Sequence, residues 1–162
     1  MDSNNFFDVK GNVHILDEKS QVKFRPGVYV LVENENQEFM MILNGSSNKW
    51  EISGGGLEIG EDLIKCGIRE LKEETGYDIE IESQLPFYIE KDLAYLRSKQ
   101  EFEHGIHFFY KGKLLSQIQG KQNFAQGEKI LKVNFFSLDE LKTLDIAFWH
   151  RKAIKKYLEI MN

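Results

Sequence analysis

Apolar positions along the chain recur with two spacings, and the spacing changes from one segment to the next. Phe24 to Val32 (FRPGVYVLV) is apolar and rich in β-branched residues, which predicts a central strand. Asn34-Glu35-Asn36 carries turn chemistry, and Glu38 to Leu43 reads as the returning strand. Asn44 to Asn48 is a second turn, and Trp50 to Ser53 a short strand running into three glycines, Gly54 to Gly56, read as a loop. Upstream, residues 6–16 alternate apolar and polar and are broken by Gly11, which predicts an N-terminal hairpin.

The helical spacing begins near Glu61 and holds to Thr75. Ile64, Ile68 and Leu71 fall on one ridge, and Gly76 stands where a C-cap glycine belongs. Gly67 weakens such a helix by about 1 kcal/mol relative to alanine, which a close helix–strand approach would explain. Strands are expected over Tyr77 to Glu82, Phe87 to Glu90, Ile106 to Leu115 and Ile130 to Phe136. Ser137 and Glu140 have capping-box spacing for a short helix, and Phe148 to Met161 is amphipathic. Mixed strands with an early and a late helix suit an α/β/α sandwich.

Composition narrows this further. At 162 residues and 41% hydrophobic, the chain fits one domain, 1–162, with residues 1–23 as a hairpin extension packed on it. No run approaches the ~18 apolar residues of a membrane span. MDSNNFFDVK lacks the basic and apolar regions of a secretory signal. A single cysteine, Cys66, leaves no internal disulfide framework and suits a reducing cytoplasm. Cys66 is expected as a packed small residue at the rim of the acidic helix face. Net charge of −5, with no basic stripe, argues against nucleic-acid binding. Arg151, Lys152, Lys155 and Lys156 read as the solvated side of the last helix.

The chemistry concentrates on the first helix. With Glu70 as zero and about 100° per residue, Glu74 lies at about +40° and Glu73 at about −60°. Like charges at these spacings repel by about 0.2–0.5 kcal/mol per pair, and the last turn disfavours anions. A cation would relieve both. Carboxylates without a Cys/His set favour a hard divalent ion, Mg²⁺ first and Mn²⁺ second. Because Mg²⁺ completes its shell with substrate phosphates, such a site expects an anionic ligand. Gly55, Glu61, Arg69-Glu70-Leu71, Glu73-Glu74 and Gly76-Tyr77 also keep a fixed spacing that chance yields with odds of order ~10⁻⁷.

That segment, Gly55 to Tyr77, resembles the Nudix box, the signature of the Nudix hydrolases, at every defining position. Ser53 departs from it, since many members carry proline there. Weaker likeness extends to Arg25-Pro26, to FFSLDEL and to the C-terminal helix. The resemblance implies the α/β/α sandwich, with the box as a loop–helix–loop beside a mixed sheet. It implies that Glu70, Glu73 and Glu74 bind metal and activate water, with Glu74 and Glu70 the firmest ligands. The general base stays open among these carboxylates and Glu128 in a downstream loop. The carbonyl of Gly54 or Gly55 is a further candidate ligand. Arg69 would brace Glu61 or Glu58, so Gly55, Glu61, Arg69 and Gly76 support the site.

The implied activity is a Mg²⁺-dependent pyrophosphohydrolase for a nucleoside diphosphate linked to another group. The short chain favours nucleoside triphosphates, oxidised ones included. Dinucleoside polyphosphates, nucleotide sugars and ADP-ribose stay as alternatives. Tyr95, expected in a loop, lies where dinucleoside-polyphosphate hydrolases of the family often have tyrosine, whereas Leu93 replaces a proline found in many ADP-ribose hydrolases. Arg25 and Tyr95 are the candidate substrate contacts. Homodimers are common in the family. A nucleotide sensor would show an eroded box or an attached DNA-binding domain. An isoprenoid diphosphate isomerase needs a cysteine outside the helix, and Cys66 is the only thiol. His104 and His107 are expected to pack rather than to ligate, because strand residues three apart face opposite ways.

Overall fold

The computed structural model describes residues 5–116, 118–123 and 129–161. Its strands are β1 (Asn5–Phe7), β2 (Val13–Ile15), β3 (Val22–Glu33), β4 (Phe39–Asn44), β5 (Lys49–Glu51), β6 (Gly54–Gly56), β7 (Ile79–Ile81), β8 (Tyr88–Leu96), β9 (Glu101–Leu114) and β10 (Ile130–Phe136). The helices are α1 (Leu63–Thr75), α2 (Leu138–Thr143) and α3 (Phe148–Met161).

One mixed sheet runs β10-β4-β3-β9-β8-β1-β2, with β5 on β4, β6 on β3 and β7 on β9. β3 and β9 pair in parallel along their length, from Val22 opposite Phe102 to Glu33 opposite Lys113. The period of two in β3 sorts its side chains into two layers. Val28, Val30 and Val32 join Met40, Cys66 and Leu71 beneath α1. Leu31 joins Met41, Phe109, Ala153 and Tyr157 beneath α3. This is the α/β/α sandwich expected from the sequence. Among the described residues no helix is long and apolar enough to cross a membrane.

Several details differ from the sequence reading. The glycine triplet is a strand, not a loop: Gly54, Gly55 and Gly56 pair with Tyr29, Val28 and Gly27. Backbone pairing of this kind needs no side-chain signal, so composition alone reads it as a loop. β8 and β9 extend well beyond their apolar stretches because backbone pairing from Tyr88–Phe109 to Leu96–Glu101 carries polar residues with it. α1 starts at Leu63, since Asp62 caps it by accepting from the Ile64 and Lys65 amides. Ile68, expected in the buried ridge, is 37% exposed. Gly67 is where helix meets sheet: a Cβ there would come within 2.8 Å of Val30 Cγ2. The Ser137/Glu140 capping box forms, and the four basic residues of α3 are exposed.

Candidate active site

α1 ends over the glycine strand, which fixes the relation between its acids and the backbone. Gly76 closes the helix in the left-handed region, φ +77°, its amide bonding to Lys72 O. Glu70 and Glu74 lie on the buried side, 9% and 7% exposed. Glu74 Oε2 accepts from Ser53 Oγ at 2.7 Å and from the Gly54 amide at 3.0 Å. Serine, in place of the proline common in the family, thus donates directly to a box carboxylate. The Glu70 carboxylate lies so close to Gly55 that a Cβ there would come within 2.5 Å of Oε2. At Gly54, φ is +151° and a Cβ would meet Val28 O at 2.1 Å, so this position demands glycine, whereas a side chain at Gly55 would displace the Glu70 carboxylate.

Arg69 is the hub of the charge arrangement. Its Nε and Nη2 donate to the two oxygens of Glu61 at 2.8 and 2.9 Å, a bidentate pair. Nη1 donates to Glu70 Oε1 at 2.9 Å and lies 3.7 Å from Glu73 Oε2. The Arg69 hydrogen bonds hold Glu61 down to about 2, and Glu61 in turn raises Arg69. Cys66 is fully buried between these groups and Gly56 O, and burial pushes its thiol up to about 12. It is a packed residue with no thiolate character.

A cavity of about 360 Å³ opens beside the glycine strand and is reached by Glu74. Arg25 and Tyr95, the two candidate substrate contacts, both line it. Arg25 sits on β3, 3.6 Å from Glu103 Oε1. Tyr95 is in strand β8 rather than a loop, its ring stacked on His14 at 4.1 Å. Glu128 lies outside the described residues. Glu73 is the most exposed of the three helix acids, its side chain 31% accessible.

Glu51, Trp149 and His150 of this cavity escape the sequence reading, in which His107 is only a packing residue. Glu51 accepts from Ser47 Oγ and Asn44 Nδ2, yet burial raises its pKa. His107 reaches the cavity floor with Nδ1 2.9 Å from Asp92 Oδ2. Neither atom has a hydrogen bond of acceptable geometry, so the pair is a close contact and not a hydrogen bond. His150 and Trp149, on the first turn of α3, complete the wall. A strand or helix period marks such positions only as inward-facing; which cavity they reach depends on long-range pairing.

The donor set suits a hard divalent ion in kind: carboxylates of Glu70 and Glu74 beside a side-chain-free backbone, and Glu73 on the same helix next to Arg69. Among the described residues, however, no three His, Cys, Asp or Glu groups converge as a ready cage. The acids instead engage Arg69 and the Gly54 amide. This is compatible with Mg²⁺, which is usually held by one or two carboxylates plus substrate phosphates. The residues therefore fit in kind, and Glu70 and Glu73 would be shared between such an ion and Arg69.

Comparison with known proteins follows the same outline. A family model described as the NUDIX domain matches residues 23–157. The chain belongs to the Nudix family. Members generally use divalent cations, and this chain is accordingly a hydrolase of phosphorus-containing acid anhydrides. It is 27% identical to an ADP-ribose pyrophosphatase of Methanocaldococcus jannaschii, over 98% of this chain and 90% of that protein. It is 25% identical to a putative 8-oxo-dGTP diphosphatase of Bacillus subtilis, over 70% and 67% of the two chains. Its fold matches a Nudix hydrolase structure from Nitrosomonas europaea with a TM-score of 0.66 at 21% identity, covering 85% and 90%. In this Nudix chain the sheet edge β6 and helix α1 together carry the box.

Proposed function

We propose that the chain is a Mg²⁺-dependent pyrophosphohydrolase of nucleoside diphosphates linked to another group, acting first on nucleoside triphosphates, oxidised ones included. The observation that carries this reading is the approach of Glu70 and Glu74 to a strand of bare glycine backbone that lines a nucleotide-sized cavity, with Glu73 tied to the same Arg69. Glu70, Glu73 and Glu74 would hold the ion, with the backbone at Gly54 as a further oxygen source. A bound Mg²⁺ would draw charge from the diphosphate and acidify a coordinated water.

The chain's own residues set the rest. Arg69 keeps Glu61 ionised and fixes the Glu70 carboxylate, so the helix acids stay aimed at the glycine strand. Ser53 and the Gly54 amide fix the Glu74 carboxylate from the other side. A carboxylate near the attacking water can accept its proton. Glu70, Glu73 and Glu128 are the candidates for that role. Arg25, at the cavity edge, is placed to neutralise phosphate charge. The packed state of Cys66 suits a reducing cytoplasmic setting.

ADP-ribose is the second reading, favoured by the near full-length likeness to the archaeal ADP-ribose pyrophosphatase. Nucleotide products resolved by chromatography after incubation with nucleoside triphosphates, 8-oxo-dGTP, ADP-ribose or dinucleoside polyphosphates, each with Mg²⁺ and with EDTA, separate the two. Turnover of triphosphates above ADP-ribose supports the first; the reverse order moves the assignment to the second. Equal rates in EDTA would remove the metal from both.

A further inference from the structure

The first turn of α3 carries two N–H donors that the protein leaves unused. The indole Nε1 of Trp149 is buried and has no hydrogen-bond partner. His150, 4% exposed, accepts the Ile52 amide through Nδ1 at 3.0 Å, which places its proton on Nε2. Nε2 makes no hydrogen bond among the described residues. Burial pushes this imidazole down to about 3, so it stays neutral and Nε2 stays a donor across the neutral range. A buried donor without an acceptor, as at Trp149 Nε1, is costly, and native proteins seldom keep one without a use.

Both side chains line the cavity that also holds Gly54 and Glu74. They are all that α3 contributes to the described lining, so this wall is uncharged. Tyr29 meets the His150 ring edge-on at 4.6 Å, adding an apolar neighbour. The cations of the cavity, Arg25, Arg97, Lys99 and Lys129, belong to other segments. Phosphate oxygens are better served by those cations, whereas neutral N–H groups in an aromatic surround suit carbonyl oxygens and ring nitrogens. We propose that Trp149 and His150 form a neutral donor wall that binds acceptor atoms of the substrate's nucleobase and so determines base specificity. This rests on the cavity being the nucleotide site of the reading above.

Three variants separate recognition from architecture. Trp149→Phe keeps an aromatic ring and deletes the indole N–H. His150→Asn keeps an acceptor for the Ile52 amide but has nothing at the Nε2 position. His150→Gln restores an amide donor there. Dissociation constants are measured for the non-hydrolysable α,β-methylene analogues of GTP, ATP and CTP, and for inorganic tripolyphosphate. KM and kcat follow on whichever nucleotide is turned over, and Tm on each variant. Trp149→Phe and His150→Asn are expected to weaken the best-bound analogue by about 2–10-fold, the worth of one neutral hydrogen bond. KM should rise in step while kcat stays within about twofold, tripolyphosphate binding should not change, and His150→Gln should bind more tightly than His150→Asn. Trp149→Phe should not lower Tm, because it removes an unsatisfied donor.

Unchanged analogue binding in both variants would overturn the proposal. So would an equal loss for tripolyphosphate, which would make the contact one to phosphate, or the failure of every nucleotide analogue to bind. Analogue binding that responds to the variants in a protein without turnover would defeat the hydrolase reading and leave the donor wall standing.

Discussion

Replacing Arg69 by methionine removes one cation from four contacts while keeping most of the side chain's length. Glu61 loses a bidentate partner at 2.8 and 2.9 Å, Glu70 a bond at 2.9 Å, and Glu73 a cation at 3.7 Å. Breaking a buried pair costs about 3–5 kcal/mol, and an exposed one under about 1 kcal/mol. Arg69 is 27% accessible and Glu61 14%, so the cost should fall at about 2–4 kcal/mol. At about 2–4 °C per kcal/mol for a chain of this size, Tm should drop by roughly 4–16 °C at pH 7. The sign of the pH dependence is fixed by Glu61, whose folded pKa is depressed to about 2. Its contribution is present above the ordinary glutamate value and is lost as pH falls through the folded one. The gap between wild type and Arg69→Met, followed by calorimetry, should therefore narrow steadily below pH 4.5. Added Mg²⁺ should restore part of the lost stability by replacing the missing charge. A Tm change under about 2 °C at pH 7, or a gap that widens in acid, would refute the reasoning.

Gly54→Ala would drive a Cβ into Val28 O at 2.1 Å with φ at +151°, a clash with backbone that cannot turn away. A loss of about 3 kcal/mol or more is expected by urea titration, together with loss of turnover. His150 titrates at about 3 in the folded chain against 6.5 for the free group, so unfolding takes up a proton between those values. Stability should fall as pH drops through that window, by up to about 1.4 kcal/mol per pH unit, and His150→Asn should flatten this limb of the Tm profile. Cys66, buried with its thiol raised to about 12, should resist alkylation at pH 8 in native protein and react fully in denaturant.

The acidic helix face was legible because its information is local. Spacing alone placed Glu70, Glu73 and Glu74 together, gave Gly76 its capping role and paired Arg69 with an upstream glutamate. The apolar, β-branched run of Phe24 to Val32 likewise marked a central strand, though not which of its residues face α1 and which face α3. What stayed hidden depends on partners far apart in sequence. The glycine strand exists because Gly54–Gly56 pairs with Gly27–Tyr29, and no apolar pattern announces that. Tyr95 looked like a loop residue because its strand is held by pairing with Phe102, not by its own side chains. Trp149 and His150 belong to an amphipathic helix whose inward face reads simply as core. Their meaning appears only when Ile52 occupies one imidazole nitrogen and leaves the other without a partner.

The central claim is that the crowded helix acids serve an ion that acts on a phosphoric anhydride. Glu74→Gln tests it most directly, because glutamine keeps an oxygen for Ser53 and the Gly54 amide and removes only the charge. The measurement is kcat against Mg²⁺ concentration for wild type and variant, on the best nucleotide, with folding matched by circular dichroism. The expected result is wild-type turnover that rises from zero with Mg²⁺, and a variant slower by about 100-fold or more at every concentration. Equal rates, or turnover that survives EDTA, would contradict it.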